Sequence, residues 1–345
     1  MRKIKKKIPD QLLFTEISRL IEQSRHHVAA TVNSTLTFLN WKIGQRINIE
    51  ILQTTRAEYG KQIVATVSRQ LEVQYGKGFD EKNVRRMMQF ASIFPNEEIV
   101  VSMIRQLSWT HIIALLPLKD LLQREFYSEM CRVEKWSVRT LREKIDSMLF
   151  ERTAVSKKPK QLITQELKEL REEDKLTPDL VFRNPYFLSF LGLKDTYSEK
   201  NLEDAILREL ENFILELGQG FTFVERQKRM IIDGEDYKLD LLFYHRKLKR
   251  LIAIDLKLGK FKAEYKSKME LYLSWLEKNE IETGEKTPLG LILCAEGNRE
   301  QVELLQLEKS GIKVAEYFTG LPSKKLLQEK LHEALEITKK RMENN

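Results

Sequence analysis

The sequence predicts an α+β chain of two domains, the first all-α and the second an α/β domain with a mixed sheet. Three observations predict this. Apolar residues recur at helical spacing through the first 150 positions, a polar stretch follows, and helices then alternate with runs of β-branched and aromatic residues. At 345 residues each half is long enough to bury its own core, and 42% hydrophobic with 32% charged residues is the composition of a globular chain.

In the first domain (residues 1–150), Leu12 to Ile51 reads as one or two long helices. Apolar positions fall at Leu13, Ile17, Leu20, Ile21 and Val28, then at Leu36, Leu39, Ile43 and Ile47, and Trp41 is expected to pack. Ile63, Val67 and Leu71 mark a second helix that ends in a glycine-containing turn over 74–79. Asp80 then caps a helix through Val84, Met87, Met88, Ala91 and Phe94. Helix, short glycine turn, helix is a helix-turn-helix-like pattern. Its second helix sets Lys82, Asn83, Arg85, Arg86 and Gln89 opposite the apolar stripe, where they suit phosphate oxygens and base edges. The outer face of an ordinary helical bundle reads the same way. Further helices are expected from Ser108 as N-cap, from Lys119 to Val133 and from Ser137 to Met148, with Trp109 and Trp136 as anchors and His111 packed or capping.

The charge is unevenly spread. Residues 1–150 hold 24 Lys and Arg against 16 Asp and Glu, whereas the rest holds 35 of each, so the whole excess of +8 lies in the first domain. Either a polyanion is gripped there or the helical surface is simply basic and solvated.

Residues 151–179 mix charges of both signs, lack aromatics and carry Pro159 and Pro178, which reads as a linker with a solvent-exposed charged helix. The second domain (residues 180–345) opens on Phe182, Pro185, Tyr186, Phe187 and Phe190, an aromatic cluster expected to cap the core. A helix from about Asn201 to Leu217 follows, with Leu202, Ile206, Leu207, Leu210, Phe213, Ile214 and Leu217 on one arc and Glu203 inside that arc. Then come the strand GFTFVERQ, an Asp233-Gly234 hairpin turn, the strands YKLDLLFYH and RLIAIDLKL, a helix through Met269, Tyr272, Leu273 and Leu276, and the strand LGLILCA. A short last strand is expected over 311–317 and a charged closing helix over 321–342.

Asp240 and Asp255 each stand inside an apolar strand, and Lys257 follows Asp255 on the same face while Leu256 turns away. Carrying two carboxylates and an ammonium among apolar strands costs several kcal/mol per ion unless something compensates, and a metal ion with a phosphate would do so.

Asp240, a hairpin, then Asp255-Leu256-Lys257 resembles the core of the PD-(D/E)XK nuclease superfamily, and the element order resembles the αβββαβ core of restriction-endonuclease-like folds. More narrowly, NPYFLSFLGL, LEDAILRELENFILELGQGF, LDLLFYHRKLKRLIAIDLKLGKF and MELYL look like the bacterial YhcG-like nucleases. The likeness extends upstream through YGKGFDEKNVRRMMQF, QLSWTHIIALL, REFY and KWSVRTLREKI. It implies a metal-dependent nuclease that hydrolyses DNA phosphodiester bonds. Asp240 and Asp255, with Glu203 or the Leu256 carbonyl, would hold Mg²⁺ or Mn²⁺; Lys257 would orient water or stabilise phosphate charge, and Gln227 would hydrogen-bond nearby. Glu203 reads equally as a first-turn glutamate favoured by the helix dipole. Lys260, Lys262, Lys266 and Lys268, with Tyr272, would hold the DNA backbone, although a solvated helix face also explains these lysines. Two departures stand out: Asp255 occupies a position where glutamate is commoner, and Lys268 one where a glutamine is frequent four residues before the tyrosine.

Other features exclude alternatives. Two cysteines, Cys131 and Cys294, make no disulfide framework, and the five histidines show no zinc spacing. No apolar run approaches the ~20 residues that span a bilayer, and the basic start lacks a signal-peptide core, so the expectation is a cytoplasmic protein with no membrane partner. Cutting both strands of a duplex makes a homodimer a candidate. Two competing readings are a non-catalytic DNA-binding or regulatory protein on a nuclease scaffold, and a structural ion-pair network in a protein that binds other proteins.

Overall fold

The structure, a computed structural model, describes residues 9–52, 57–153, 155–193, 197–297 and 299–320, with positions 325, 327, 329 and 331. It divides into two compact units, Met1–Glu143 and Lys144–Asn345. Among the described residues no helix is long and apolar enough to cross a membrane.

Among its described residues the first unit is all helix. Its elements are α1 (Pro9–Leu52), α2 (Ala57–Tyr75), α3 (Glu81–Ile93), α4 (Glu97–Ile104), α5 (Trp109–Leu115), α6 (Leu121–Glu134) and α7 (Val138–Asp146), the last crossing into the second unit. The long N-terminal pattern is thus one helix. Its packing on α3 is set by three positions spaced three and four apart. Trp41 Nε1 donates to the Phe94 carbonyl at 2.8 Å and Asn48 Nδ2 to the Met88 carbonyl at 2.9 Å. Between them Gly44 lets the two backbones touch: a Cβ there would lie 1.9 Å from the Met87 carbonyl oxygen. Ile47, Val64, Val84 and Met87 close the core around this crossing.

The turn after α2 holds Gly76 at φ 95, a backbone region favouring glycine, and Asp80 accepts from Asn83 N at 3.0 Å as the α3 cap. His111 completes a capping box with Ser108, and its Nε2 donates to the Trp136 carbonyl at 3.1 Å. Both ring nitrogens are thus taken, and burial holds its pKa below the ordinary histidine value.

The second unit begins with α8 (Leu149–Arg152), α9 (Lys160–Glu173) and α10 (Pro178–Val181). The charged helix expected to lie in solvent is α9, and it does not: Ile163, Leu167 and Leu170, at i, i+4 and i+7, are buried. Next come β1 (Tyr186–Phe187), α11 (Glu199–Arg208), α12 (Leu210–Leu217), β2 (Phe221–Ile232), β3 (Glu235–His245), β4 (Arg250–Lys260), α13 (Glu264–Asn279), β5 (Leu289–Glu296), α14 (Arg299–Leu304) and β6 (Ile312–Phe318). The aromatic cluster at 182–190 does more than cap a core, because Tyr186 and Phe187 form a strand parallel to β6. Arg152 and Arg183 both pair with Glu216, and Arg152 Nε donates to the Pro185 carbonyl at 2.9 Å, so this ionic knot fastens α8 and α12 beside β1.

The sheet runs β1-β6-β5-β4-β3-β2, antiparallel from β2 to β4 and parallel from β4 to β1, the mixed sheet expected. The Asp233-Gly234 turn has φ 50 and 83, both left-handed, as a two-residue hairpin of the primed type requires. One apolar layer includes residues of α11 and α12 with Leu241, Phe243, Ile252, Ile254 and Leu256. The other includes residues of α13 with Leu239, Leu242, Leu251 and Ala253. The closing helix expected over 321–342 lies outside the described residues except at 325, 327, 329 and 331, where Leu327 and Leu331 pack beside Phe187.

Gly44→Ala is expected to destabilise the protein by about 1–3 kcal/mol, since backbone must move to admit the methyl, even though alanine normally favours a helix by about 1 kcal/mol. Chemical denaturation reads this directly; an unchanged or higher midpoint would contradict the close crossing.

Candidate active site

The site arises where β3 leaves β4. Their last paired position is Leu241 with Ile254, so Asp240 and Asp255 lie one step beyond the ladder. The Leu256 N–H is taken by Asp240 Oδ2 at 2.8 Å. A side chain thus satisfies a backbone donor next to the end of the β3–β4 ladder. On the other side of Asp240 the β2–β3 ladder skips as well, passing from Arg226–Leu241 to Lys228–Leu239. The residue opposite Asp240 is Gln227, whose φ of 47 is rare for a side-chain-bearing residue. Strand alternation breaks here: Leu239 belongs to the α13 layer and Leu241 to the opposite one.

Five of the expected residues meet around this opening. Gln227 Nε2 donates to Glu203 Oε2 at 2.6 Å and stands 3.4 Å from Asp240 Oδ1. Asp255 and Lys257 share a face as the strand period requires, with Nζ 2.8 Å from Oδ2, and Lys257 also donates to the Leu256 carbonyl at 3.0 Å. Asp255, Lys257 and Glu203 are only 3%, 8% and 6% exposed. Burial, then the negative charge of Asp255, pushes the Asp240 pKa up to about 6. Burial disfavours charge on Lys257, but the adjacent Asp255 carboxylate outweighs it and holds the ammonium form above its ordinary pKa.

Glu203 is not a first-turn residue. Ser198 caps α11 with Asn201 in a capping box, so Glu199 fills the first turn and Glu203 lies a turn further, buried. The single helix expected over 201–217 is two, broken at Glu209 (φ −106, ψ 32).

Two oxygens of the site have no hydrogen bond although both are buried, Asp255 Oδ1 and Glu203 Oε1. Among the described residues no group of three or more His, Cys, Asp and Glu is gathered closely enough to cage a metal alone. Mg²⁺ usually takes only one or two carboxylates and completes its shell with phosphate oxygens and water, so an oxygen-only donor set with two unsatisfied members suits such an ion.

The outer basic residues divide. Lys268 reaches the site, its Nζ 3.9 Å from Asp255 Oδ1. Lys260 pairs with Glu296 at 3.2 Å, Lys262 with Glu264 at 3.7 Å, and Lys266 with Glu270 and the Leu305 carbonyl, so these three turn to nearby acids. Tyr272 is fully buried and donates to the Lys238 carbonyl at 2.8 Å, which removes it from any nucleic-acid surface. In the helical unit Lys82, Arg85 and Gln89 are exposed, Arg85 pairing with Glu81. Asn83 makes internal bonds: its amide donates to the Gly78 carbonyl at 2.5 Å and accepts from Trp109 Nε1 at 3.0 Å. Two site residues escaped the sequence reading. Glu199 stands 3.9 Å from Lys257, and Arg226 stands 3.2 Å from Glu203 Oε1. Arg226 precedes Gln227 in VERQ, but only the broken strand shows that both neighbours face the same acid.

The chain joins a helical unit to this mixed sheet, and residues 179–332 match the YhcG PDDEXK nuclease domain. Residues 16–152 match the DUF1016 N-terminal domain. The chain is 33% identical, over 93% of both lengths, to the YhcG protein of Escherichia coli (strain K12), a candidate nuclease. It belongs to the YhcG-like family, whose nuclease class generally uses divalent metal ions. Solved structures with some likeness include a repair endonuclease from Pyrococcus abyssi (21% identity, 37% of this chain and 50% of that one, TM-score 0.26) and an EndoMS–dsDNA2 complex (18%, 38% and 48%, TM-score 0.29). Likeness at those TM-scores does not define a fold.

Tyr272→Phe should cost about 1–2 kcal/mol by orphaning the Lys238 carbonyl, with nucleic-acid affinity unmoved. Thermal melts and binding titrations check both; a loss of affinity without a loss of stability would put the hydroxyl back on the binding surface.

Proposed function

We propose that this chain is an endonuclease that hydrolyses DNA phosphodiester bonds with Mg²⁺ or Mn²⁺, the basic helical region over 1–150 binding DNA and residues 180–345 carrying the chemistry. The observation that supports this most is the buried, unsatisfied Asp255 oxygen beside Asp240 and Lys257. A structural ion-pair network would hold its buried oxygens with hydrogen bonds, whereas this oxygen accepts none and meets only a cation at 3.9 Å.

Asp240, Asp255 and, in second place, Glu203 would hold the ion. When bound, it supplies charge neutralisation at the scissile phosphate and a more acidic water. The residues of the chain do the rest. The Leu256 N–H fixes Asp240, Lys257 fixes Asp255, and Gln227 holds Glu203 against Asp240. Lys257, kept protonated by Asp255, is a compact charge suited to the phosphate oxygens of the transition state. In the helical unit Lys82, Arg85, Arg86 and Gln89 are retained as DNA contacts, supported by the +8 excess over 1–150. Because a duplex has two strands and the chain one such site, a homodimer is the working unit we assign.

Asp255→Asn and Lys257→Ala should each lower Mg²⁺- or Mn²⁺-dependent cleavage of a panel of linear, circular and branched DNAs by roughly 100-fold or more, with DNA affinity measured without metal kept within a few fold. Cleavage by either variant at the rate of the parent would refute the assignment.

A further inference from the structure

The two unsatisfied carboxylate oxygens are not alone. Each has one half-exposed cation beside it that makes no hydrogen bond to it. Arg226 Nη2 lies 3.2 Å from Glu203 Oε1 and Lys268 Nζ lies 3.9 Å from Asp255 Oδ1, and the two cations are 48% and 43% exposed. Both acids are buried, and both have their other oxygen occupied at close range, Glu203 by Gln227 at 2.6 Å and Asp255 by Lys257 at 2.8 Å. The arrangement is the same twice: an inner partner holds one oxygen tightly, and an outer, solvent-facing cation neutralises the other loosely.

Such an outer cation is easily moved. Arg226 is shared with Asp204 at 3.4 Å, and Lys268 rests its ammonium 5.4 Å from the Tyr272 ring centre. Half-exposed ion pairs contribute little, so exchanging one for a phosphate costs little. Arginine and lysine are also the side chains that best take a phosphodiester oxygen.

We propose that Arg226 and Lys268 are exchangeable counter-cations that couple the binding of a nucleic-acid phosphate to the loading of a divalent cation. Without nucleic acid they neutralise Glu203 and Asp255 and repel an incoming cation. When a phosphodiester arrives they turn to it, which would free Oε1 and Oδ1 to hold a cation. The inference rests on the nuclease reading and adds Arg226 to its machinery, with an order of events. Coupling of this kind is reciprocal, so cation and nucleic acid must each tighten the other by the same factor.

The test is calorimetric titration of Mn²⁺ into the full chain, alone and with a nuclease-resistant phosphorothioate DNA duplex. The variants are Arg226→Gln, Lys268→Gln and the pair together, with Lys278→Gln as an exposed charge control on α13. In the parent, DNA should tighten Mn²⁺ binding on the order of 10-fold. The double variant should bind Mn²⁺ alone several-fold more tightly than the parent, since two repelling charges are gone, bind DNA more weakly, and show little coupling. Lys278→Gln should match the parent. A cation site that is lost in Asp255→Asn yet unchanged in affinity and coupling by both substitutions overturns this inference alone. Absence of any Asp255-dependent cation site overturns the nuclease reading and the inference with it.

Discussion

The departure of β3 from β4 at Asp240 is the constraint on which the rest of the nuclease domain depends. A continuous ladder would satisfy the Leu256 N–H with backbone and leave no room between the strands. Because the ladder stops at Leu241–Ile254, a carboxylate takes that donor, and Asp240 is fixed in place while Asp255 and Lys257 stand on the next turn of the pleat. Burying charge here costs several kcal/mol per ion, and the left-handed backbone at Gln227 adds on the order of 1–3 kcal/mol. Apolar layers on both faces of the sheet are what tolerate these costs.

The opening also explains why acids from separate elements converge. α11 contributes Glu203 from a buried turn, β2 contributes Gln227 through its irregular position, and β3 and β4 contribute the aspartates. Burial, then the charge of Asp255, raises Asp240 toward neutrality, while the same Asp255 holds Lys257 charged. Strongly shifted ionisable groups gathered at one opening are common at functional sites.

Much of this was legible in the chain. Strand period placed Asp255 with Lys257, the helical arc placed Glu203 inside, the Asp-Gly turn gave the hairpin, and Asp80 and Ser108 announced their helices. What was not legible depends on contacts between elements. Helical spacing puts Asn83 on an outer face, yet Trp109, far along the chain, claims its amide. Tyr272 and Lys268 share a side of α13 at i and i+4, but one donates inward to Lys238 and the other reaches Asp255. Regular strand alternation cannot show the slip at Asp240, so it gives no reason to single out Arg226. The charged appearance of α9 concealed three buried residues.

The most direct measurement is the anomalous diffraction of Mn²⁺ in crystals of the protein grown with a short nuclease-resistant DNA duplex. The result expected is a peak within coordination distance of carboxylate oxygens from both Asp240 and Asp255, with a phosphate completing its shell. A peak elsewhere, or an ordered DNA with Asp240 and Asp255 bound only to protein groups, would contradict it.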